Sequence, residues 1–348
     1  MNPYILATLL LSLGLGTTIT FASSHWLLAW MGLEINTLAI LPLMAQQHHP
    51  RAVEATTKYF LTQATGAATL LFASTTNAWL TGQWDILQMS HPLTTTLAIL
   101  ALSLKVGLAP LHTWLPEVLQ GLDLTTGLIL STWQKLAPFA LLLQIQPTNP
   151  TILIILGVTS TLVGGWGGLN QTQLRKIMAY SSTAHLGWMI LVLQFSPPLT
   201  LLTLLTYLVM TSSTFLVFKL NKSTSINMLA TSWAKAPVLT ALTPLILLSL
   251  GGLPPLTGFM PKWLILQELT KQDLAPIATL TALTALLSLY FYLRLTYAMT
   301  LTMSPNNVTG MTPWRLHSSQ LTLLPATLTM MTILLLPLTP TMLTLLTL

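Results

Sequence analysis

Residues 94–120 read TTTLAILALSLKVGLAPLHTWLPEVLQ. The stretch is apolar enough to lie in lipid, yet Lys105 sits near its middle, followed by Gly107, Pro110 and Pro116. A straight crossing needs roughly 20 apolar residues at 1.5 Å each. This run is longer and carries helix breakers, so it predicts a broken helix beside a charge held inside a membrane. Residues 237–270, PVLTALTPLILLSLGGLPPLTGFMPKWLILQELT, follow the same plan, with Lys262 after the break.

The two runs also match residue by residue. Gly107, Leu108, Pro110, Leu111, Pro116 and Leu119 align with Gly252, Leu253, Pro255, Leu256, Pro261 and Leu264. Working outward, apolar runs predict spans at 3–22, 25–44, 56–80, 94–120, 124–145, 150–169, 175–194, 199–219, 237–270, 274–298 and 321–343. The matched runs are then an odd number of crossings apart, so the copies face opposite ways. That is the signature of inverted repeats whose broken helices meet near the bilayer midplane. The competing explanation is that Gly and Pro are common in membrane helices. The expected fold is an all-α polytopic membrane protein of about eleven helices. It forms one domain over 1–348, with repeats over roughly 3–145 and 150–298 and a flanking helix at 321–343.

Composition agrees. Of 348 residues, 53% are hydrophobic and only 6% charged, against about 25% charged in a soluble domain. The net charge is +6, but the basic residues are spread singly over loops, which reads as topology signals rather than a nucleic-acid surface. Arg51, Lys58, Arg175, Lys176, Lys222, Lys235 and Arg315 fall on the side of the N-terminus, which therefore faces the cytoplasm or the mitochondrial matrix. Cysteine is absent, so disulfides and Cys-ligated metal centres are excluded. The N-terminal residues show no charged leader and no Arg-rich presequence. Bacterial synthesis and synthesis inside an organelle both fit.

Glu34, Lys105 and Lys135 sit about 14–17 Å deep in their spans, at the centre of the bilayer. Lys262 follows the second break and reaches a similar depth. A charge there costs about 2.5–3.5 kcal/mol, so four would cost roughly 10–14 kcal/mol if uncompensated. They must face water, the bundle interior or one another. A structural ion pair is one reading; a proton path is the other, because intramembrane ionisable groups mark such paths by default. A Glu34–Lys105 pair that forms and breaks would gate a proton against a membrane potential. His112 and His185 are each as readable as relay groups as they are as structural histidines. Ser181, Ser182 and Thr183 are either packing hydroxyls or a proton wire. Glu117 and Asp123 read as interfacial charges. GGWGGLN at 164–170 ends a helix and reads as a close-packing surface.

Several strings together resemble a known family. GLNQTQLRKIMAYSSTAHLGW at 168–188, LKVGLAPLHTWLPEV at 104–118, STWQKLAPF at 131–139, LSLGGLPPLTGFMPKW at 248–263 and WMGLEINTLAILPL at 30–43 are similar to the antiporter-like membrane subunits of respiratory NADH:quinone oxidoreductase, complex I. The resemblance runs over nearly the whole chain. It implies a proton-translocating subunit of an obligate hetero-oligomer, in contact with other membrane-arm subunits and lipids, without nucleic acid. By motif, Glu34 and Lys105 would be the modulating pair, Lys135 the central relay and Lys262 the terminal proton site. His112 and His185 would lie between the lysines. No cofactor would be bound by this chain; NADH, flavin, iron–sulfur clusters and ubiquinone would belong to partner subunits. The resemblance implies that the first three helices of longer family members are missing here, as they are from organelle-encoded animal forms. The implied location is the mitochondrial inner membrane, with the N-terminus on the matrix side and the C-terminus on the intermembrane-space side. Two alternatives stand beside this: a monovalent cation/proton antiporter subunit, and a scaffold with vestigial charges.

Overall fold

The structure is a computed structural model describing residues 2–46, 48–145, 150–234, 237–301 and 323–347. Lys235, Arg315 and nearly all of the loop expected at 299–320 lie outside the described residues, as does the start of the span expected at 321–343. The chain divides into two compact units, Met1–Thr159 and Ser160–Leu348. The described residues are helical apart from turns and two isolated β-bridges, His25 with Asp85 and Gln173 with Ser225.

The first unit contains α1 (Pro3–Ala22), α2 (Trp26–Met44), α3 (Pro50–Thr81), α4 (Pro92–Val106), α5 (Trp114–Gly121), α6 (Leu124–Ser131) and α7 (Trp133–Gln144). The helices begin where the chain chemistry favours it. Asn2 and His49 side chains accept backbone N–H groups at the starts of α1 and α3, and Pro3, Pro50 and Pro92 open their helices without losing a bond. Within the helices, threonine and serine hydroxyls repeatedly donate to the carbonyl three or four residues back, as in Thr20 to Thr17 and Ser103 to Leu100. Lipid offers no partner for a hydroxyl, so these bonds let a threonine-rich chain enter it. The α3 helix has 32 residues, about 48 Å long, which exceeds the bilayer core of about 30 Å. Its first turns carry Glu54 and Lys58, both exposed, with Lys58 bridging Glu54 and Glu117 at 2.6 and 2.8 Å.

Helix α8 (Thr151–Gly168) leads into the second unit, which contains α9 (Leu174–Val192), α10 (Pro197–Leu220), α11 (Ile226–Ala230), α12 (Pro237–Gly251), α13 (Phe259–Lys271), α14 (Ala275–Thr300), α15 (Leu323–Leu334) and α16 (Thr339–Thr347). Helix α10 packs on α9, α12, α13, α15 and α16. The glycine-rich stretch is a packing surface: a side-chain carbon at Gly164 would lie 2.6 Å from the Ala184 amide, and one at Gly168 would lie 2.7 Å from the Phe291 ring.

The two broken helices appear where the sequence places them. The first stops at Val106 and resumes at Trp114; the second stops at Gly251 and resumes at Phe259. Gly107 and Gly252 adopt φ of 88° and 80°, a left-handed conformation that suits glycine. Ala109–Pro110 and Pro254–Pro255 are cis.

Two predicted spans are divided instead of continuous. The run 124–145 breaks at Thr132, whose φ and ψ are −112° and −70°. Its hydroxyl takes the Leu128 carbonyl at 2.7 Å, and Pro138 can supply no N–H to the Gln134 carbonyl in the following turn. The run 321–343 bends by 68° between Leu334 and Leu336, beside Pro337. Among the described residues, five helices are long and apolar enough to cross a membrane alone, and the bent pair makes a sixth. Of the other predicted spans, α3 and α9 are continuous helices of 32 and 19 residues but less apolar, and the rest are divided or shorter helices.

Candidate functional site

Lys105 lies in the last turn of α4 and Lys135 in the first turn of α7. They are 5% and 3% exposed. Helices α4 and α7 pack together, and both lysines line one cavity of about 20 Å³, enough for a water molecule. Further polar lining comes from two other elements and from α7 itself. Asn36 and Thr37 belong to α2, Tyr59 and Gln63 to α3, and Gln134 to α7. Gln63 donates to the Lys105 carbonyl at 3.4 Å, and Gln134 to the Asn36 carbonyl at 3.3 Å. The Trp114 indole donates to the Leu104 carbonyl at 3.0 Å, tying α5 back across the break to the turn that bears Lys105. The Lys105 ammonium has no hydrogen-bond partner among the described residues.

Glu34 is half-buried on α2. Its carboxylate accepts the Thr37 hydroxyl at 3.2 Å and acts electrostatically on Lys105 and Tyr59. Among the described residues it forms no ion pair within 4.0 Å, so the direct Glu34–Lys105 contact envisaged from the sequence is absent. Thr37, one turn along, takes up the carboxylate instead. His112 lies in the break between α4 and α5, half-buried, against the Pro110 carbonyl. It is not among the residues lining the lysine cavity.

The second unit has its own site. Lys262, in the first turn of α13, donates to the carbonyls of Gly251 and Leu250 at 2.7 and 3.5 Å. These end α12, so the ammonium sits on the negative end of that helix. A cavity of about 20 Å³ joins Lys262 to His185, with Thr203 and Thr206 in its lining. The His185 ring packs on Tyr207 with centroids 5.7 Å apart. Ser181, Ser182 and Thr183 donate within α9 to the carbonyls of Met178, Ala179 and Tyr180.

Reading the sequence for formal charge missed the amides and phenols. Asn36, Gln63, Gln134 and Tyr59 line the first cavity, and Tyr207 backs the second. The signal was present: an amide within an apolar span needs a partner much as a charge does.

The transmembrane family of NADH:quinone oxidoreductase and Mrp antiporter subunits matches residues 23–288, and the C-terminal region of NADH dehydrogenase subunit 2 matches 289–343. NADH-ubiquinone oxidoreductase chain 2 of Tetraodon nigroviridis is 79% identical over 334 residues, covering 96% of each chain. A chain of respiratory complex I from Thermus thermophilus with bound aureothin superposes with a TM-score of 0.84 at 30% identity, over 97% of this chain and 78% of that one. The Mrp complex of Dietzia sp. shares the fold, with a TM-score of 0.84 at 17% identity over 97% of this chain and 76% of its own. The chain belongs to the NADH:quinone oxidoreductase/Mrp antiporter family of membrane proteins.

Proposed function

We propose that this chain is a membrane-arm subunit of respiratory NADH:ubiquinone oxidoreductase, and that it carries protons across the mitochondrial inner membrane while partner subunits move electrons. The observation that carries the mechanism is the sharing of one buried, water-sized cavity by Lys105 and Lys135. Two amines in one cavity cannot both hold a proton without repulsion at low dielectric, so the pair favours a single mobile proton. The helix ends bias its position. The last turn of α4 is negative and the first turn of α7 positive, so the charge rests better on Lys105 than on Lys135. Glu34 adds to that bias from outside the cavity. Lys262 and His185 form the corresponding site of the second unit, and His112 is placed to serve the first break.

The chain has no cysteine, so it can hold no Cys-ligated iron–sulfur cluster, and we assign electron transfer through NADH, flavin, iron–sulfur clusters and ubiquinone to the partners. The basic residues Arg51 and Lys58, at the junction of α2 and α3, support an N-terminus on the matrix side. We take 1–348 as one antiporter-like domain of two repeated halves, each interrupted after a left-handed glycine.

The test is a native gel of gently solubilised source membranes, probed for this chain and stained for NADH oxidation. Co-migration with a very large NADH-oxidising band is expected. Migration in a small assembly without that activity would overturn the assignment in favour of a free-standing cation/proton antiporter.

A further inference from the structure

We infer that a cavity of about 160 Å³ at the C-terminal end of α13 binds one membrane phospholipid, whose headgroup ammonium meets Glu268 and whose phosphate meets Lys271. It involves neither of the lysine cavities described above, so it stands apart from the proposed function.

The cavity lies within the second unit. Helix α13 contributes Leu264, Gln267, Glu268 and Lys271, the start of α10 contributes Leu199, and α16 contributes Leu343. Spacings of three, four and seven residues put the α13 side chains on one helix face. Polarity is graded with exposure. Leu199 is buried and Leu264 and Leu343 are half-buried, whereas Gln267 and Lys271 are exposed. An apolar interior with a polar mouth suits a molecule with an apolar tail and a polar head. The depth agrees. At 1.5 Å per residue, Glu268 lies about 9 Å and Lys271 about 14 Å along α13 beyond Lys262. Half of the hydrocarbon core is about 15 Å. With Lys262 near the midplane, the mouth falls where phospholipid headgroups begin.

The charges select the head. Glu268 and Lys271 face each other at 3.5 Å, longer than the roughly 2.7–2.9 Å of a closed ion pair, which leaves bonding capacity on both. The Glu268 side chain is 21% exposed and that of Lys271 61%. The more deeply set carboxylate calls for a cation that can reach it and donate hydrogen bonds. A primary ammonium has hydrogens to donate; a quaternary one has none. Lys271 then takes the phosphate that such a head carries beside its amine. Asp273, exposed just past the mouth, adds a second carboxylate, which disfavours a purely anionic head. Helix α10 opens with Pro197 and Pro198, which have no N–H, so its start offers little to compete with Lys271 for the phosphate.

The test uses the assembled complex in vesicles that contain phosphatidylethanolamine with a photoreactive acyl chain. Illumination should label residues 264–271 or 343–347 more strongly than helices elsewhere in the chain. Unlabelled phosphatidylethanolamine should compete, and phosphatidylcholine and phosphatidylglycerol should compete roughly tenfold less well. Glu268→Gln should lower labelling at the cavity by a similar factor. Leu343→Trp, which fills the apolar part, should abolish it, and labelling elsewhere should not change in either variant. Labelling no stronger than elsewhere, equal competition by the three lipids, or labelling indifferent to Glu268→Gln overturns the inference. So does experimental density that shows a partner subunit's side chain in the cavity. Should Leu343→Trp fail to assemble, that density and Glu268→Gln, which replaces a single oxygen, decide. A small assembly on the native gel with cavity labelling intact overturns the functional assignment alone.

Discussion

The Lys262 ammonium donates to the Gly251 carbonyl at 2.7 Å. The lysine that follows the second break thereby sits on the end of the helix that precedes it. In the first unit Lys105 occupies the matching electrostatic position by a different route, as a residue of the last turn of α4 itself. Both broken helices therefore present a cation to the negative end of their first half. The aligned position of Lys262 in the first unit is Glu117, which points to an exposed ion pair with Lys58 instead.

Substitution at the second break should separate strain from displacement. A side-chain carbon at Gly252 would lie 2.8 Å from the Lys262 side chain, whereas one at Gly107 would meet nothing closer than 3.5 Å. Both glycines have positive φ, so alanine costs about 1–2 kcal/mol at either. Gly252→Ala should also cut proton translocation, as Lys262→Met should, while Gly107→Ala should mainly lower thermal stability. Pumping and melting measurements on the two variants check this.

Lys105→Met and Lys135→Met share a cavity and one proton, so their effects should not add. Each alone should slow proton transfer on the order of 10²-fold, and the double variant should be no slower than the worse single one. Proton uptake per NADH oxidised, measured in sealed vesicles, gives the cycle. Additive losses would place the lysines on separate paths.

Glu34→Gln should be milder than either lysine change. The carboxylate lies outside the cavity lining and has no direct ion pair, so only its field is lost. A severalfold reduction in rate with normal assembly is the expected result. A loss as large as that of Lys135→Met would make Glu34 a proton carrier in its own right.

Gly164→Val tests the close approach of α8 to α9 in the second unit. The added carbons would meet the Ala184 backbone, which cannot rotate away. Overpacking of this kind costs about 1–3 kcal/mol. The melting temperature of the purified complex should fall, with no change in the ratio of protons to electrons in the surviving fraction.

The ion pair at the start of α3 sets a pH expectation. The hydrogen bond and the charge of Lys58 hold the Glu54 carboxyl below its usual value. Its folded-state value is thus lower than its unfolded one. The contribution of the pair is complete above the ordinary carboxylate range and disappears as pH falls through the depressed value. Near neutrality Glu54 is already ionised, so Glu54→Gln should leave the pH profile of pumping unchanged. A shifted profile would put Glu54 on the path.

Much of this was legible in residue order because lipid is an unforgiving solvent. Twenty apolar residues in a row have few alternatives to a spanning helix, and a glycine next to prolines inside such a run stops the helix wherever it occurs. Lys105, Lys135 and Lys262 stood out because a charge has no reason to enter hydrocarbon without a function or a partner. The division at Thr132 and the bend beside Pro337 were not legible. Where a proline or a hydroxyl breaks a ladder depends on which carbonyl it reaches, which residue order does not show.

By itself the sequence determined the fold class, the positions of the broken helices, the buried lysines and the absence of cysteine-based chemistry. Tertiary structure alone decided which groups meet. It brought Lys105 to Lys135 across α4 and α7, placed His185 with Lys262, kept Glu34 out of direct contact, and put Asn36, Gln63 and Tyr59 around the first cavity. The physical reason is one of range. Whether a segment enters the membrane is a local transfer free energy summed along a helix. Whether two side chains share a water depends on distances between helices that no local sum contains.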